Sequence, residues 1–395
     1  MRAVSATILI SATLAFPLLP YAAESSGGRN PFGPRLRAAT SNFVEVDASR
    51  HALIPNLVGT KDRLLLTWLE VNPKGVPNIH VRRWDGTNWQ VEGGLVNQDK
   101  LSAAYDPSLA ILADDTPFIA WAENTKTQVP QIYLKHLDAG SWVQDGSSLN
   151  LDPARPAVRP ILAANTTVFL GWTEASERRV FLARVRRLDP DGWTLLGDAL
   201  NVAPDRDAID LSMDLLNGQP FVAWCEASAD KVLQIRAKMW DGTQWITAAE
   251  SLNLDSRQHA FSPIVRAGED SVYVSWIEIG ASGKPELNVN VFSSGKWQSL
   301  ATNLHAEDAS YSLTPSLAYL GGNLYVAWAE TDPKGTSRIH SAKWNGSDWQ
   351  VSPRLNLDTA KPGATPTIAI WNGKPVVVWK ELEEGGLFSL AVAGQ

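Results

Sequence analysis

Cysteine is almost absent from this sequence: Cys225 stands alone among 395 residues. A single thiol forms no internal disulfide and rules out any Cys-based metal cluster. Stability must come from packing. There is also no excess of positive charge. Thirty-five basic residues stand against 42 acidic ones, a net charge of −7. Phosphate backbones reward clustered Lys and Arg, so nucleic acid is excluded as an expected partner. Helix-period segments of useful length are missing as well. So are the short catalytic and nucleotide-binding motifs: no G-x-S-x-G, no H-E-x-x-H, no Walker loop. No EF-hand spacing occurs, and the sequence points to no metal and no cofactor.

Long apolar runs are confined to the N-terminus. Residues 1–23 read as a signal peptide, with Arg2 as the positive start, "ILISATLAFPLL" as the apolar middle and "YAA" before Glu24. The run is broken by Pro17 and Pro20 and is short for a membrane span. No cysteine marks the cleavage point, which argues against lipid anchoring there. An extracytoplasmic protein, periplasmic or secreted, is expected, with no transmembrane segment in the mature chain. Removal of 1–23 takes away only Arg2 among the charged residues, leaving 34 basic against 42 acidic and a net charge of −8.

What the chain has in quantity is tryptophan, 17 in all. Seven of them open a Trp-x-Glu element: Trp68/Glu70, Trp121/Glu123, Trp172/Glu174, Trp224/Glu226, Trp276/Glu278, Trp328/Glu330 and Trp379/Glu381. The steps between them are 53, 51, 52, 52, 52 and 51 residues. A second Trp follows at Trp89, Trp142, Trp193, Trp245, Trp297 and Trp349, and Trp84, Trp240 and Trp344 lie five residues before three of these. A fixed period of this length marks a tandem repeat.

Each unit reads as four short strands. In the sixth, "PSLAYL" (315–320), "LYVAWAE" (324–330), "RIHSAKW" (338–344) and "WQVSPRLNLD" (349–358) are separated by Gly, Asn and Asp turns. Four-stranded units near this length predict an all-β, seven-bladed β-propeller of antiparallel blades. The seventh unit stops after its third strand, and "SNFVEVD" (41–47) matches the missing outer strand. Its addition to the last blade would close the ring and leave no open sheet edge. The expected organisation is a signal peptide (1–23), a flexible lead (24–40) and one propeller domain (41–395), with a monomer expected.

Trp and Glu two apart on a strand share one face. The Trp is expected to wedge against the next sheet, and the Glu to accept backbone N–H groups of a neighbouring loop. A ring repeats its braces seven times, whereas catalysis needs one distinct constellation, so the seven Glu read as structural. So do seven acids that lie eight residues before a proline or its equivalent: Asp47, Asp99, Asp152, Asp205, Asp255, Glu307 and Asp358.

A third element repeats before the second Trp, where Asp85, Asp138, Asp189, Asp241, Ser293 and Asn345 each stand four residues ahead. Short polar side chains there bond their own turn. "WDGTNW" (84–89), "WDGTQW" (240–245) and "WNGSDW" (344–349) resemble the Asp-box turn, Ser-x-Asp-x-Gly-x-Thr-Trp, of sialidase-like propellers. Gly86, Gly242 and Gly346 are in place, while the leading Ser is absent and the acid is one residue closer to the Trp. The resemblance implies a propeller with this turn on the face away from the ligand. It does not carry sialidase activity, because that family is typically six-bladed and uses an arginine triad, a Tyr–Glu nucleophile pair and an Arg-Ile-Pro start. The last of these is missing and no triad is assignable.

Function should sit where the units differ, in the loops that open beside the central channel. Candidate ligand-binding residues there are Arg50, His51, Asp106, Arg155, Arg159, Asp207, Asp210, Arg257, His259 and Tyr311, with Lys361 in the last such loop. On the inner strands, Arg266 replaces the small residues Ala110, Ala163, Ala318 and Ala369. Asp214 is read as breaking the series Asn56, Ser108, Ser316 and Thr367, and as an ion-pair partner for Arg266. No residue is assigned a catalytic role. The expected function is an exported, non-catalytic binding scaffold for a glycan, a protein partner or a cell-surface component. The alternative is a polysaccharide-active hydrolase or lyase at the channel mouth, for which only His51 and His259 offer ordinary near-neutral acid–base groups.

Overall fold

A computed structural model describes residues 50–307, 311–356, 358, 360–383 and 386–394. The expected signal, the lead, Asp47 and the strand 41–47 lie outside these residues. The described chain is all-β and forms seven antiparallel sheets, each a meander in which sequence neighbours pair. Six sheets have four strands, and the seventh has three among the described residues. The blades span 52–91, 104–144, 157–195, 208–249, 260–301, 311–351 and 363–394.

The first strand of each blade contacts the first strand of the next, so these strands surround the axis. They are Ala52–Gly59, Ala104–Ile111, Ala157–Ala164, Ala208–Leu216, Ala260–Ala267, Tyr311–Leu320 and Gly363–Trp371. Outer strands are brief, only Trp349–Val351 in blade 6, shorter than the sequence suggests. Blade 7 packs directly on blade 1. Leu57 N donates to Thr367 Oγ1 at 3.2 Å, and Asn372 N to Thr60 O at 3.2 Å. Gly59 belongs at this seam because a Cβ there would lie 2.2 Å from the Ile370 carbonyl oxygen.

All seven Trp of the Trp-x-Glu elements are fully buried. The expected direction of the wedge is reversed: each indole packs against the preceding sheet. Trp121 meets Leu65, Ile79 and Val81 of blade 1, Trp328 meets Ile277, Leu287 and Val289 of blade 5, and Trp68 meets Val376 and Val378 of blade 7. Residues on the opposite sheet face, such as Leu69 and Cys225, line the pocket that receives the following indole.

The glutamates are braces. In blade 6, Trp328 Nε1 donates to Glu330 Oε2 at 2.8 Å, and the backbone N–H groups of Ala306 and Glu307 donate to its two oxygens at 2.7 Å. Glu123, Glu174, Glu226 and Glu278 hold the corresponding pairs Gln98/Asp99, Leu151/Asp152, Val202/Ala203 and Leu254/Asp255. At five of the blade junctions a loop asparagine adds a second tie: Asn97, Asn150, Asn201, Asn253 and Asn356 accept from third-strand N–H groups at 2.8–2.9 Å. Asp99, Asp152, Asp255 and Asp358 bond their own turns, as structural acids should. Asp205 is out of register with them, because Ala203 takes the bond that Asp99 takes in blade 2.

The second Trp also stitches blades. Trp142, Trp245, Trp297 and Trp349 donate to carbonyls of Glu92, Leu196, Ala248 and Leu300 in the preceding blade. The Asp-box-like turns close on themselves, Asp85 Oδ1 accepting from Thr87 and Asn88 N. They lie at the end of the blades opposite the Glu braces.

Candidate functional site

Every first strand carries a bulge near its start. The pairing register shifts there in all seven blades, for instance between Tyr105 and Ser108. The shift is marked by a left-handed residue: Ile54, Asp106, Arg159, Asp210, Ser262, Thr314 and Thr365, with φ between 48 and 54°. None is glycine, and each such conformation costs about 1–2 kcal/mol. A proline follows in six blades, where a bulge tolerates the missing N–H. The ring therefore sets one non-repeating side chain per blade beside the channel, at the same end as the Glu braces.

Three consecutive members are charged and meet one another. Arg159 Nη1 forms an ion pair with Asp210 Oδ1, both side chains about a quarter exposed. Asp106 is half-buried on the other side of Arg159. Burial pushes its carboxyl up, with the Arg159 guanidinium and backbone N–H pulling the other way and Asp210 adding to the rise. The remaining members are three hydroxyls and Ile54, a β-branched side chain 47% exposed despite its left-handed backbone. Replacing Arg159 by Met leaves Asp210 without its cation. For a half-buried pair the expected loss is about 1–2 kcal/mol, read by urea unfolding. Asp210→Asn in the same chain should restore part of it, and full additivity of the two changes would refute the pairing.

Four residues further along, Arg266 Nη1 pairs with Asp214 Oδ2 at 3.2 Å, as expected from the sequence. Arg266 Nε also donates to Leu317 O, and Asp214 accepts Ala267 N, so the pair sews blades 4, 5 and 6 together. The register of Asp214 differs from the one expected. Ser212 is the member of the polar series: it accepts Val265 N at 2.9 Å, as Ser108 accepts Leu162 N and Ser316 accepts Ile368 N. Asp214 shares the position of Ala110 and Arg266, each paired three residues before its blade's Trp.

The other sequence candidates stand apart from this cluster. Arg155 pairs with Asp152 and Glu177, and exposed Arg257 with Asp255. Asp207 accepts Phe181 N, and His259 Nδ1 accepts Leu233 N. These four are tied to loop carboxylates or to the first backbone N–H of a third strand. Arg50 lies 3.7 Å from Glu70, the His51 ring is tilted at 6.1 Å from that of Phe388, and half-buried Tyr311 opens the first strand of blade 6. Among the described residues no group of His, Cys, Asp and Glu is arranged to hold a metal ion. Sequence reading missed the left-handed ring and its members Ile54, Ser262, Thr314 and Thr365. The residue before each inner-strand proline was the available signal.

No protein-family model and no curated protein matches the chain. Among solved structures it is similar to the polysaccharide lyase Uly1, with TM-score 0.56 and 12% identity over 91% of this chain and 94% of that one. It is similar also to a Mycobacterium tuberculosis puromycin-hydrolyzing peptidase, with TM-score 0.56 and 14% identity over 92% of this chain and 53% of that one. A Trypanosoma rangeli sialidase in complex with the inhibitor DANA gives TM-score 0.49 and 10% identity, over 91% of this chain and 59% of that one. The chain thus spans little more than half the length of the last two. At such identities the likeness is one of fold: a seven-bladed β-propeller whose structural neighbours include glycan-active enzymes.

Proposed function

We propose that the chain is an exported binding scaffold that takes a hydroxyl-rich ligand, a glycan, at the channel mouth. The observation that carries this is the division of the left-handed ring. Asp106, Arg159 and Asp210 offer acceptors and donors on blades 2–4, Ser262 and Thr314 offer hydroxyls on blades 5 and 6, and exposed Ile54 offers an apolar surface. Saccharides present hydroxyl edges and apolar ring faces, and that mixture suits them. Backbone strain held at seven non-glycine positions fits a ring kept for its side chains. A polysaccharide lyase built on the same scaffold is consistent with a saccharide ligand.

One observation favours the enzymatic reading. Asp106 has a raised carboxyl beside a second carboxylate, Asp210, and a pair held in unlike environments suits acid–base work. A glycan array followed by calorimetry on the best oligosaccharide separates the two. Asp106→Asn is expected to weaken binding about tenfold, the loss of one charged hydrogen bond, without turnover of any substrate. Turnover in a hydrolase and lyase panel that Asp106→Asn abolishes would replace the binding reading with the enzymatic one.

A further inference from the structure

Three Asn–Gly pairs occur in the chain, at 217–218, 345–346 and 372–373, and in each the asparagine is exposed. In such a pair the following peptide nitrogen can approach the side-chain carbonyl, because glycine puts no Cβ in the way. Two of the three are hairpin tips. Asn217 and Asn372 have φ of 51 and 47°, and the ladder closes directly around them through the pairs Leu216/Gln219 and Trp371/Lys374. Their side-chain oxygens accept no hydrogen bond among the described residues.

Asn345 is held differently, in the Asp-box-like turn of blade 6. Its Oδ1 accepts Ser347 N at 3.0 Å and Asp348 N at 2.9 Å. The Ser347 hydroxyl lies 3.1 Å from the same oxygen and 2.9 Å from Asp348 Oδ2. These contacts fold the side-chain carbonyl back over the Gly346 peptide. The Gly346 N–H has no acceptor among the described residues, and a Cβ at Gly346 would meet nothing within 4 Å. A free N–H thus stands beside a carbonyl whose oxygen is surrounded by donors, the arrangement that stabilises a developing oxyanion.

The same turn holds a carboxylate elsewhere in the ring. Asp85 and Asp241 take this position in blades 1 and 4 and accept the matching N–H pairs, Thr87/Asn88 and Thr243/Gln244, at 2.7–2.8 Å. Those N–H groups, Asn88 and Gln244 foremost, hold both carboxyls below the usual carboxylate range. The turn around Asn345 therefore has the donors of an anion site and a neutral amide in it.

We propose that Asn345 is a self-processing site, at which the chain converts this amide to an aspartyl carboxylate. The Gly346 nitrogen gives its proton to solvent base and bonds to Asn345 Cγ. The Cγ–Nδ2 bond breaks and ammonia leaves, giving a five-membered succinimide. Water then adds to Cγ, the new Cγ–N bond breaks, and the peptide N–H is restored. The net change is a water consumed and an ammonia released, with no oxidant or cofactor. The same donors direct the second step. They activate Cγ, whereas the main-chain carbonyl of Asn345 accepts no hydrogen bond among the described residues. Opening at Cγ returns an ordinary aspartyl residue and is favoured over opening at the main-chain carbon, which gives isoaspartyl. Blade 6 thereby gains the charge that blades 1 and 4 carry from synthesis.

Peptide mapping by mass spectrometry of the whole chain, kept folded in mildly alkaline buffer, reads the conversion at all three sites. An isoaspartyl methyltransferase assay separates the two products. Asn345 should convert about tenfold faster than Asn217 and Asn372, the scale of one oxyanion donor at an exposed site. Its main product should be aspartyl. In concentrated urea the three sites should react alike, with isoaspartyl in excess at each. Ser347→Ala removes one donor, and should slow Asn345 several-fold and raise its isoaspartyl share while leaving Asn217 and Asn372 unchanged. Asn345→Asp should melt no lower than wild type, since the turn accepts the charge. Equal rates at the three sites of the folded chain, an isoaspartyl excess at Asn345, or a lower melting temperature for Asn345→Asp would each overturn the proposal.

Discussion

Trp328→Ala is expected to lower the unfolding free energy by about 3–5 kcal/mol, the range for removing a large buried aromatic side chain. The indole is fully buried between blades 5 and 6 among Ile277, Leu287, Val289 and Leu317. Its removal leaves a cavity that neighbouring β-ladders hold open, because two sheets paired along their whole length cannot collapse on it. It also takes one donor from Glu330, whose two oxygens still face the N–H groups of Ala306 and Glu307. Glu330→Gln should cost less, about 1–3 kcal/mol, because the indole still fills the seam and one amide oxygen still accepts. Urea unfolding of the two variants beside wild type gives the comparison. An unchanged midpoint for Trp328→Ala would mean that the indole is not what joins the sheets.

Stability should fall by about 2–3 kcal/mol between pH 6.5 and pH 4 on account of His80, whose pKa is lowered to about 4. Burial is the largest cause, and the Arg82 and Arg50 guanidinium groups add to it. His80 faces Trp68 at 5.6 Å, against the same sheet seam. The unfolded chain takes up the proton near pH 6.5, whereas the folded chain takes it up only near pH 4. Within that window the unfolded state binds more protons, so stability drops as pH falls and the contribution levels off below it. His340, stacked 5.9 Å from Trp328 and also lowered by burial, acts in the same direction. His80→Tyr removes the titrating group and borrows the solution of blade 2, where Tyr133 faces Trp121. Its stability curve should be flatter than wild type between pH 6.5 and 4. Parallel curves would assign the acid sensitivity elsewhere.

The architecture was legible because its fasteners are rare residues repeated at fixed spacing. Trp-x-Glu marks the second strand of every blade, and the bracing role of the glutamate follows from its place at the strand end. The Arg266–Asp214 pair was also readable, since each charge interrupts a run of uncharged residues in adjacent blades. The register of blade 4 was not. It lacks the proline found in the other six first strands, where Leu211 takes its place, so a count from Asp205 to Met213 slips by two residues. The same slip put Asp214 in the wrong series and Asp205 among the structural acids. The ring of left-handed residues was hidden for a different reason. A positive φ usually announces itself through glycine or asparagine, and here Ile, Asp, Arg, Ser and Thr occupy it, imposed by the bulge instead of chosen by the residue. Direction was equally silent, because alternation assigns Trp to a face without saying which neighbour that face meets.

That direction has a bearing on assembly. Every indole leans on the sheet that precedes it, so blades 2 to 7 find their support already made when they leave the ribosome. Blade 1 is the exception, since Trp68 rests on Val376, Val378 and Leu390. Its largest apolar side chain stays uncovered until the final blade has emerged, and a chaperone with an appetite for exposed aromatics would have its longest opportunity there.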